Sequence, residues 1–133
     1  MKESILAEKS FDFAIRIVNL YKFLIENKKE FVLSKQLLHS GTAIGALQSE
    51  GTFAESKPDF IHKFGIAQKE CNETIYWLRL MHRTDYLDTI QFESIYNDAL
   101  ELLKIITASI ITAKKSLITN HYVSFISQTH YQP

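Results

Sequence analysis

The residues whose spacing most resembles a chemical motif lie in one stretch, SGTAIGALQSEG, at positions 40–51. It contains three of the four glycines in the 133-residue chain. A phosphate-binding loop has the spacing G-x-x-x-x-G-K-[ST] after a strand, with a lysine that reaches the phosphate oxygens. Here five residues separate Gly45 from Gly51, no lysine lies between them, and the dinucleotide pattern G-x-G-x-x-G is also missing. The spacing therefore argues against a nucleotide-binding loop.

A helix accounts for the same glycines better. Gly41 and Gly45 are four residues apart, so on a helix they share one face, which Ala43 and Ala46 widen. Each interior glycine costs about 1 kcal/mol relative to alanine, and the close approach of a second helix backbone can offset that cost. We predict a helix-packing seam at Gly41, Ile44 and Gly45, in which Gly45→Leu overpacks the contact by about 1–3 kcal/mol.

The other residues with chemical potential have simpler structural explanations. Among five histidines, only Asp59-x-x-His62 approximates the Glu-x-x-His motif of di-metal helix bundles, and no second such motif accompanies it. Paired carboxylates serve acid–base catalysis when their pKa values are driven apart, but more often they are solvated or paired with a basic residue. We therefore assign structural roles to Glu50, Glu70 and Glu73, and we expect no catalytic residue, metal, cofactor or small-molecule substrate.

Four long helices with short connections are predicted to position these residues. Only two prolines occur in the chain, too few for a protein built of strands and turns. The helices are expected at about residues 4–27, 33–53, from a cap at Ser56 to the segment HRTDYLD at 82–88, and 89–117. Such a pattern predicts an all-α, antiparallel, up-down-up-down four-helix bundle over residues 1–119. Residues 120–133 lack helical spacing, and we expect an extended or disordered tail.

The third predicted helix has the clearest apolar seam. Its start is marked by Ser56 as the cap, Pro58 in the first turn and Asp59 three residues after the cap. Apolar and small residues then recur four and three apart, as in a coiled coil. The seam positions are Phe60, Phe64, Ala67, Cys71, Thr74, Leu78 and Met81. Because Cys71 occupies a seam position, we expect it to pack as a small hydrophobic residue rather than to react.

The first and fourth predicted helices each carry two apolar stripes, which is more than a lone bundle needs. One stripe of each helix can face the core, and the second is then free to contact another copy of the chain. The stripes of the first helix are Phe13, Ile17, Leu20 and Leu24, and Phe11, Ala14, Val18, Tyr21 and Ile25. Those of the fourth are Phe92, Ile95, Ala99, Leu102 and Ile106, and Tyr96, Leu103, Ile110 and Leu117. We expect a homo-oligomer.

Composition limits the classes of partner. The chain has 15 Lys+Arg and 15 Asp+Glu, whereas proteins that coat nucleic acids are usually basic. A local basic patch around the first inter-helix turn keeps RNA or DNA binding open as an alternative; it comprises Lys22, Lys28, Lys29 and Lys35. No apolar run of about 18 residues predicts a membrane span, and no secretory signal is visible. With a single cysteine, these features lead us to expect a cytoplasmic protein.

The segments LLHSGTAIGALQSEG (37–51) and SKPDFIHKFGIAQKECNETIYWLRLMHRTDYL (56–87) resemble the four-helix bundle proteins encoded in 23S rRNA intervening sequences. The resemblance extends over about residues 5–117. It is carried best by Ser40, Ile44, Gly45, Glu50, Ser56, Phe60, Phe64, Ala67, Glu70, Glu73, Leu78 and Leu87. It implies an up-down-up-down bundle and a ring-like homo-oligomer, commonly a pentamer.

The same resemblance leaves two functions to weigh. Proteins of that family have no established activity, and a retroelement accessory protein with a similar bundle and ring binds nucleic acid. Since the net charge of this chain is zero, we favour a non-enzymatic oligomeric scaffold or adaptor. The alternative is an accessory protein that binds structured RNA or retroelement intermediates.

Overall fold

The computed structural model describes the backbone of residues 2–130 and the side chains of residues 5–128. Four helices and short connections make up this part of the chain. The helices are α1 (Lys2–Asn27), α2 (Leu33–Thr52), α3 (Lys57–Arg83) and α4 (Thr89–His130). The glycine stretch lies inside α2, so the prediction of a helix there is confirmed.

Neighbouring helices run antiparallel, since residue numbers rise along one helix as they fall along the next. Four helix pairs are in contact: α1 with α2, α2 with α3, α3 with α4, and α4 with α1. The contacts that establish the directions are Ser10 with Gly45, Ile17 with Gly41, Ser40 with Thr74, Gly51 with Phe64, Gln68 with Thr107, His82 with Thr89, Lys9 with Glu101 and Arg16 with Asp98. The predicted up-down-up-down bundle is therefore confirmed.

The core is built around the α3 seam. Six of the seam residues are buried and Phe60 packs partly buried against them; the six are Phe64, Ala67, Cys71, Thr74, Leu78 and Met81. The one hydroxyl in this row is satisfied, because Thr74 donates to the carbonyl of Glu70 (2.8 Å) and lies 3.0 Å from the Ser40 hydroxyl. Burial of a hydrogen-bonded hydroxyl pair avoids the cost of an unpaired polar group in the core.

Helix α1 turns only one of its two apolar stripes toward the core. Phe13, Ile17 and Leu24 are buried, whereas Phe11 in the other stripe is 58% exposed. In α4, Ile95 and the three stripe residues that follow it are also buried. The outward stripe of α1 is consequently a surface feature of the folded chain.

Two helix ends follow local rules of backbone capping. At the start of α3, Ser56 Oγ accepts a hydrogen bond from the Asp59 N–H (3.2 Å), and Pro58 lies in the first turn, as predicted. At its end, Asp85 takes a left-handed conformation (φ 69°) while the Tyr86 N–H donates to the Met81 carbonyl (2.9 Å). This second arrangement is a Schellman motif, which satisfies carbonyls that the last turn leaves free.

Glu30 caps the start of α2 from outside the helix. Its side chain is only 8% exposed. One carboxylate oxygen accepts from the backbone N–H groups of Val32 (3.0 Å) and Leu33 (2.8 Å), and the other accepts from that of Ser34 (2.7 Å). Burial alone would raise the pKa of Glu30, but these backbone donors outweigh it and hold the pKa below its ordinary value. The turn between α1 and α2 is thus fixed by an ionised carboxylate.

Helix α4 continues well past the bundle. Lys57, the first residue of α3, donates to Ser116 Oγ (2.6 Å), so α4 has no α3 neighbour beyond this point. We call residues 117–130 the α4 extension. The expectation of an extended or disordered segment is wrong for residues 120–130, because α4 continues to His130 and no glycine or proline lies between residues 117 and 130 to end it. Residues 131–133 lie outside the described residues.

Candidate interaction surfaces

An open groove of about 570 Å³ runs between α1 and α2 and forms the first candidate surface. None of the residues that line it is charged. They are Ala7, Ser10, Phe11, Ala14, Ile15, Val18, Asn19, Thr42, Gly45, Ala46, Gln48 and Ser49. We call this feature the α1–α2 groove.

Small side chains make the α1–α2 groove, and large ones border it. Ala7, Ala14 and Gly45 leave space between the two helices, while Phe11 (58% exposed) and Ile15 (49% exposed) stand beside it. The Ser10 hydroxyl donates to the carbonyl of Ala7 (3.2 Å), so it is already satisfied within α1. The groove therefore presents mainly apolar surface, and the Ser10 hydroxyl in it needs no partner from outside.

The closest helix contacts in the glycine stretch lie at Gly41 and Gly51 rather than at Gly45. A Cβ atom on Gly41 would lie 2.7 Å from Ile17 Cγ1, and one on Gly51 would lie 2.5 Å from the Phe64 ring. At Gly45 the nearest atoms, in Ser10, would be 3.4 Å away, which is an ordinary contact. Because Gly45 lines the groove, a leucine there would extend into it, and we now expect Gly45→Leu to change surface contacts more than core packing.

The α1–α4 seam, defined by Lys9, Arg16, Ser94, Asp98 and Glu101, has the opposite character. Lys9 pairs with Glu101 and Arg16 with Asp98, and all four side chains are about half exposed. Arg16 also donates to Ser94 Oγ (2.8 Å). The hydrogen bond and the charge of Glu101 raise the pKa of Lys9 above its ordinary value. The four charged groups are thus paired within the chain.

The predicted basic patch lies at one end of the bundle. Lys22 is near the end of α1, Lys28 and Lys29 are in the connection that follows it, and Lys35 is in the first turn of α2. All four are exposed, and none forms a salt bridge with another described side chain. Lys28 Nζ lies 6.0 Å from the centre of the Phe23 ring, at the outer limit of a cation–π contact.

A second group of basic and aromatic residues lies at the same end, and the sequence analysis missed it. Arg79, His82 and Arg83 from α3 meet Phe92 and Tyr96 from α4 around a pocket of about 270 Å³. The His82 and Phe92 rings stack with centres 4.3 Å apart. The heptad spacing of α3 and the turn at 84–88 place these residues together, but neither pattern is distinctive in sequence.

The predicted acidic and thiol residues occupy ordinary structural positions. Glu50 is exposed, Glu70 is half-buried, and Glu73 accepts a hydrogen bond from Trp77 Nε1 (3.3 Å). Cys71 donates to the Ala99 carbonyl (3.3 Å), and burial raises its pKa to about 12. Among the side chains of residues 5–128, no group of three or more His, Cys, Asp or Glu residues is arranged to hold a metal ion.

Sequence comparison assigns the family. The model of the 23S rRNA-intervening sequence protein family matches residues 2–108. The chain belongs to this family. The match ends at residue 108, within α4, so the α4 extension lies outside the matched region.

A solved structure supports the assignment. A protein of unknown function from the S23 ribosomal protein family of Bacteroides thetaiotaomicron is 54% identical, with a TM-score of 0.82. The match covers 83% of this chain and 98% of the other chain. No curated protein matches in sequence. Within the described residues, every helix falls short of the length or apolarity required to cross a bilayer.

Proposed function

We propose that this protein is a non-enzymatic scaffold or adaptor that acts as a homo-oligomer, a ring of five copies in the cytoplasm. The five-fold count rests on the family resemblance, and the cytoplasmic location on the single buried thiol, which suits a reducing compartment. The residues with altered pKa values favour a structural role: Lys9 is in an ion pair, Glu30 caps a helix and Cys71 is packed in the core.

The α1–α2 groove is the observation that carries this proposal. Exposed apolar surface bordered by large apolar side chains is a feature of contacts with other proteins and of ligand-binding grooves. Phe11 and Ile15 expose about half of their surface beside the groove. No charged residue lines the groove, so no charge would lose its hydration when a partner binds there. Near-zero net charge adds little repulsion between copies.

Light scattering coupled to gel filtration tests the proposal directly. The expected mass is five times the 15.4-kDa chain mass, and it should hold on dilution across the micromolar range. A mass of 15.4 kDa at every concentration would reject the scaffold proposal. Another multiple of the chain mass would keep self-association and reject the ring of five.

Nucleic-acid binding is the second candidate, favoured by the basic end of the bundle. Four exposed lysines lie at the same end as Arg79 and Arg83, beside the stacked rings of His82 and Phe92. Cations bind phosphates and aromatic rings stack on unpaired bases. In a ring, the basic end of each copy would be repeated, and the weak contacts of the individual copies with one nucleic acid would add together.

A matched pair of charge reversals tests this second function. Filter binding to structured RNA should weaken steeply as salt rises. The double variant Lys22→Glu/Lys28→Glu should reduce retention, whereas Lys114→Glu/Lys115→Glu, on exposed lysines at the other end of the bundle, should not. Equal loss from both pairs would indicate a nonspecific charge effect, and no retention at low salt would remove the candidate.

A further inference from the structure

The pocket between the end of α3 and the start of α4 brings cations and rings together, and we call it the α3–α4 pocket. It has a volume of about 270 Å³ and is lined by Arg79, His82, Arg83, Phe92 and Tyr96. The His82 and Phe92 rings are nearly parallel (5°), and the centres of the Phe92 and Tyr96 rings are 4.9 Å apart. The three rings therefore form a continuous aromatic surface in the same pocket as two guanidinium groups.

A short turn with many hydrogen bonds holds the α3–α4 pocket in place. The backbone N–H groups of Tyr86 and Leu87 both donate to the Met81 carbonyl (2.9 and 3.3 Å). The Asp88 carboxylate accepts from the Gln91 N–H (2.7 Å), and the Gln91 side chain accepts from the Asp88 N–H (3.1 Å), as in a capping box. Because the turn is tied to both helices, the lining side chains need little ordering when a ligand binds.

The two arginines of the pocket are not paired within the chain. Both are exposed, and the two ion pairs in the described part of the chain lie in the α1–α4 seam. The carboxylates of the turn, Asp85 and Asp88, do not line the pocket. The C-terminal end of a helix favours cations, which accounts for Arg83, but the effect is confined to the last turn and Arg79 precedes that turn. Two guanidinium groups one helical turn apart are thus available to an anion.

An aromatic ring that carries a phosphate matches this combination of groups. Guanidinium groups bind phosphate oxygens through paired hydrogen bonds, and aromatic side chains stack on nucleobases. Bases inside a duplex are stacked on one another, so an unpaired base is the form that can stack on a protein. A pocket of about 270 Å³ is slightly smaller than the usual site for a drug-sized ligand, which suits a single nucleotide. The exposed lysines at the same end of the bundle can bind neighbouring phosphates of one strand.

We infer that the α3–α4 pocket binds one unpaired nucleotide of an RNA strand. The base stacks on the aromatic surface, and Arg79 and Arg83 bind the phosphate. The inference rests on nucleic-acid binding, the second function proposed above, and it names the site and the form of nucleic acid that the site accepts. All five lining residues lie inside the region matched by the family model, residues 2–108.

Fluorescence anisotropy with the full chain at low salt tests the inference. The probes are a labelled single-stranded RNA, the same strand annealed to its complement, and the same strand without bases. Arg79→Gln/Arg83→Gln should weaken binding of the single strand by about tenfold and leave binding of the duplex nearly unchanged. Removal of the bases should weaken binding to the wild type by about tenfold. Lys114→Gln/Lys115→Gln, on exposed residues at the other end of the bundle, is the control and should keep the wild-type affinity.

Photocrosslinking locates the base without any variant of the protein. RNA that contains 5-bromouracil crosslinks on irradiation to aromatic side chains that stack on the base. The attachment is expected in the tryptic peptide 84–104, which contains Phe92 and Tyr96. Attachment to the peptides 23–28 or 30–35, which contain Phe23 and Phe31, would place the base at the basic patch instead.

The outcomes separate failure of the pocket from failure of the function. Unchanged RNA binding by Arg79→Gln/Arg83→Gln, with crosslinks confined to residues 23–35, would overturn the inference and leave nucleic-acid binding standing. Equal losses with single strand and duplex would indicate a general charge effect and also overturn it. No binding of any RNA at low salt would reject both. Binding of adenosine monophosphate without binding of RNA would reject both as well and assign the pocket to a free nucleotide.

Discussion

Helix α1 packs against α4 on one side and α2 on the other, and the two surfaces between these helices differ. At the α1–α4 seam, ion pairs from Lys9 and Arg16 join the helices and are half exposed to water. The α1–α2 groove is open, and none of its lining residues is charged. The difference indicates that the α1–α4 seam is closed by the chain's own side chains, while the α1–α2 groove is suited to an apolar partner.

Below the open groove, α1 and α2 are packed tightly. Gly41 brings the α2 backbone against Ile17, which is buried and branched at Cβ. The groove therefore reflects small side chains at the surface rather than a loose helix pair. Along the α1–α4 seam, by contrast, two ion pairs join the helices at the surface.

Gly41→Ala should have the largest effect, because it attacks the tight part of the α1–α2 contact. The same change at Gly65, where a Cβ would meet nothing within 4 Å, is the control. Both variants gain about 1 kcal/mol of helix propensity, but only the first overpacks Ile17, by about 1–3 kcal/mol. Urea unfolding should place Gly41→Ala below Gly65→Ala by that difference. Equal stabilities would show that Ile17 moves aside freely.

Glu30→Gln should have the next largest effect, at the end of the same helix pair. Loss of the ionised cap should lower the free energy of unfolding by about 1–2 kcal/mol at neutral pH. Since the folded pKa of Glu30 lies below its ordinary value of 4.5, its contribution is complete above that value and is lost as pH falls through the folded pKa.

Urea titrations of both proteins at neutral pH and at about pH 3 measure this linkage, with the lower pH chosen below the ordinary carboxyl range. The gap between wild type and Glu30→Gln should narrow in acid. A gap that stays constant or widens would contradict capping by the carboxylate. Glu50→Gln, at an exposed position, is the control and should leave the unfolding free energy nearly unchanged.

The Arg16–Asp98 pair should contribute less than either feature of the α1–α2 contact. Both side chains are about half exposed, so a double-mutant cycle with Arg16→Ala and Asp98→Ala should give about 0.5 kcal/mol, decreasing as salt rises. A coupling energy that is insensitive to salt would point to packing of the Arg16 stem. Such a result would weaken the contrast between the charged α1–α4 seam and the uncharged α1–α2 groove.

Salt should have the smallest effect on the proposed contact between copies. None of the residues that line the α1–α2 groove is charged. The assembled mass by light scattering should therefore stay the same as sodium chloride is raised, while the Arg16–Asp98 coupling declines. Dissociation at high salt would indicate that charged residues elsewhere hold the copies together.

Much of the fold was predictable from periodicity, because α3 keeps its apolar seam in register from Phe64 to Met81. The Ser56 cap was predictable for a similar reason, since its pattern is local. The direction of the two α1 stripes was not predictable. Both are apolar, and which one faces inward depends on tertiary contacts such as that of Ile17 with Gly41.

Two further features gave weak or misleading signals. Glu30 caps α2 although it precedes the first helical residue by three positions, and this differs from the usual pattern of a capping side chain immediately before the helix. The α4 extension looked unlike a helix because its residues have moderate propensity and an irregular apolar pattern. Continuation of backbone hydrogen bonding from a long preceding helix outweighed both signals.

The length of α4 has a consequence for proteolysis. The described side chains beyond Leu117 are exposed, and Lys57 contacts Ser116 where α3 begins. A protease that trims this helix from its C-terminal side would therefore remove exposed turns before it reaches a residue of the core.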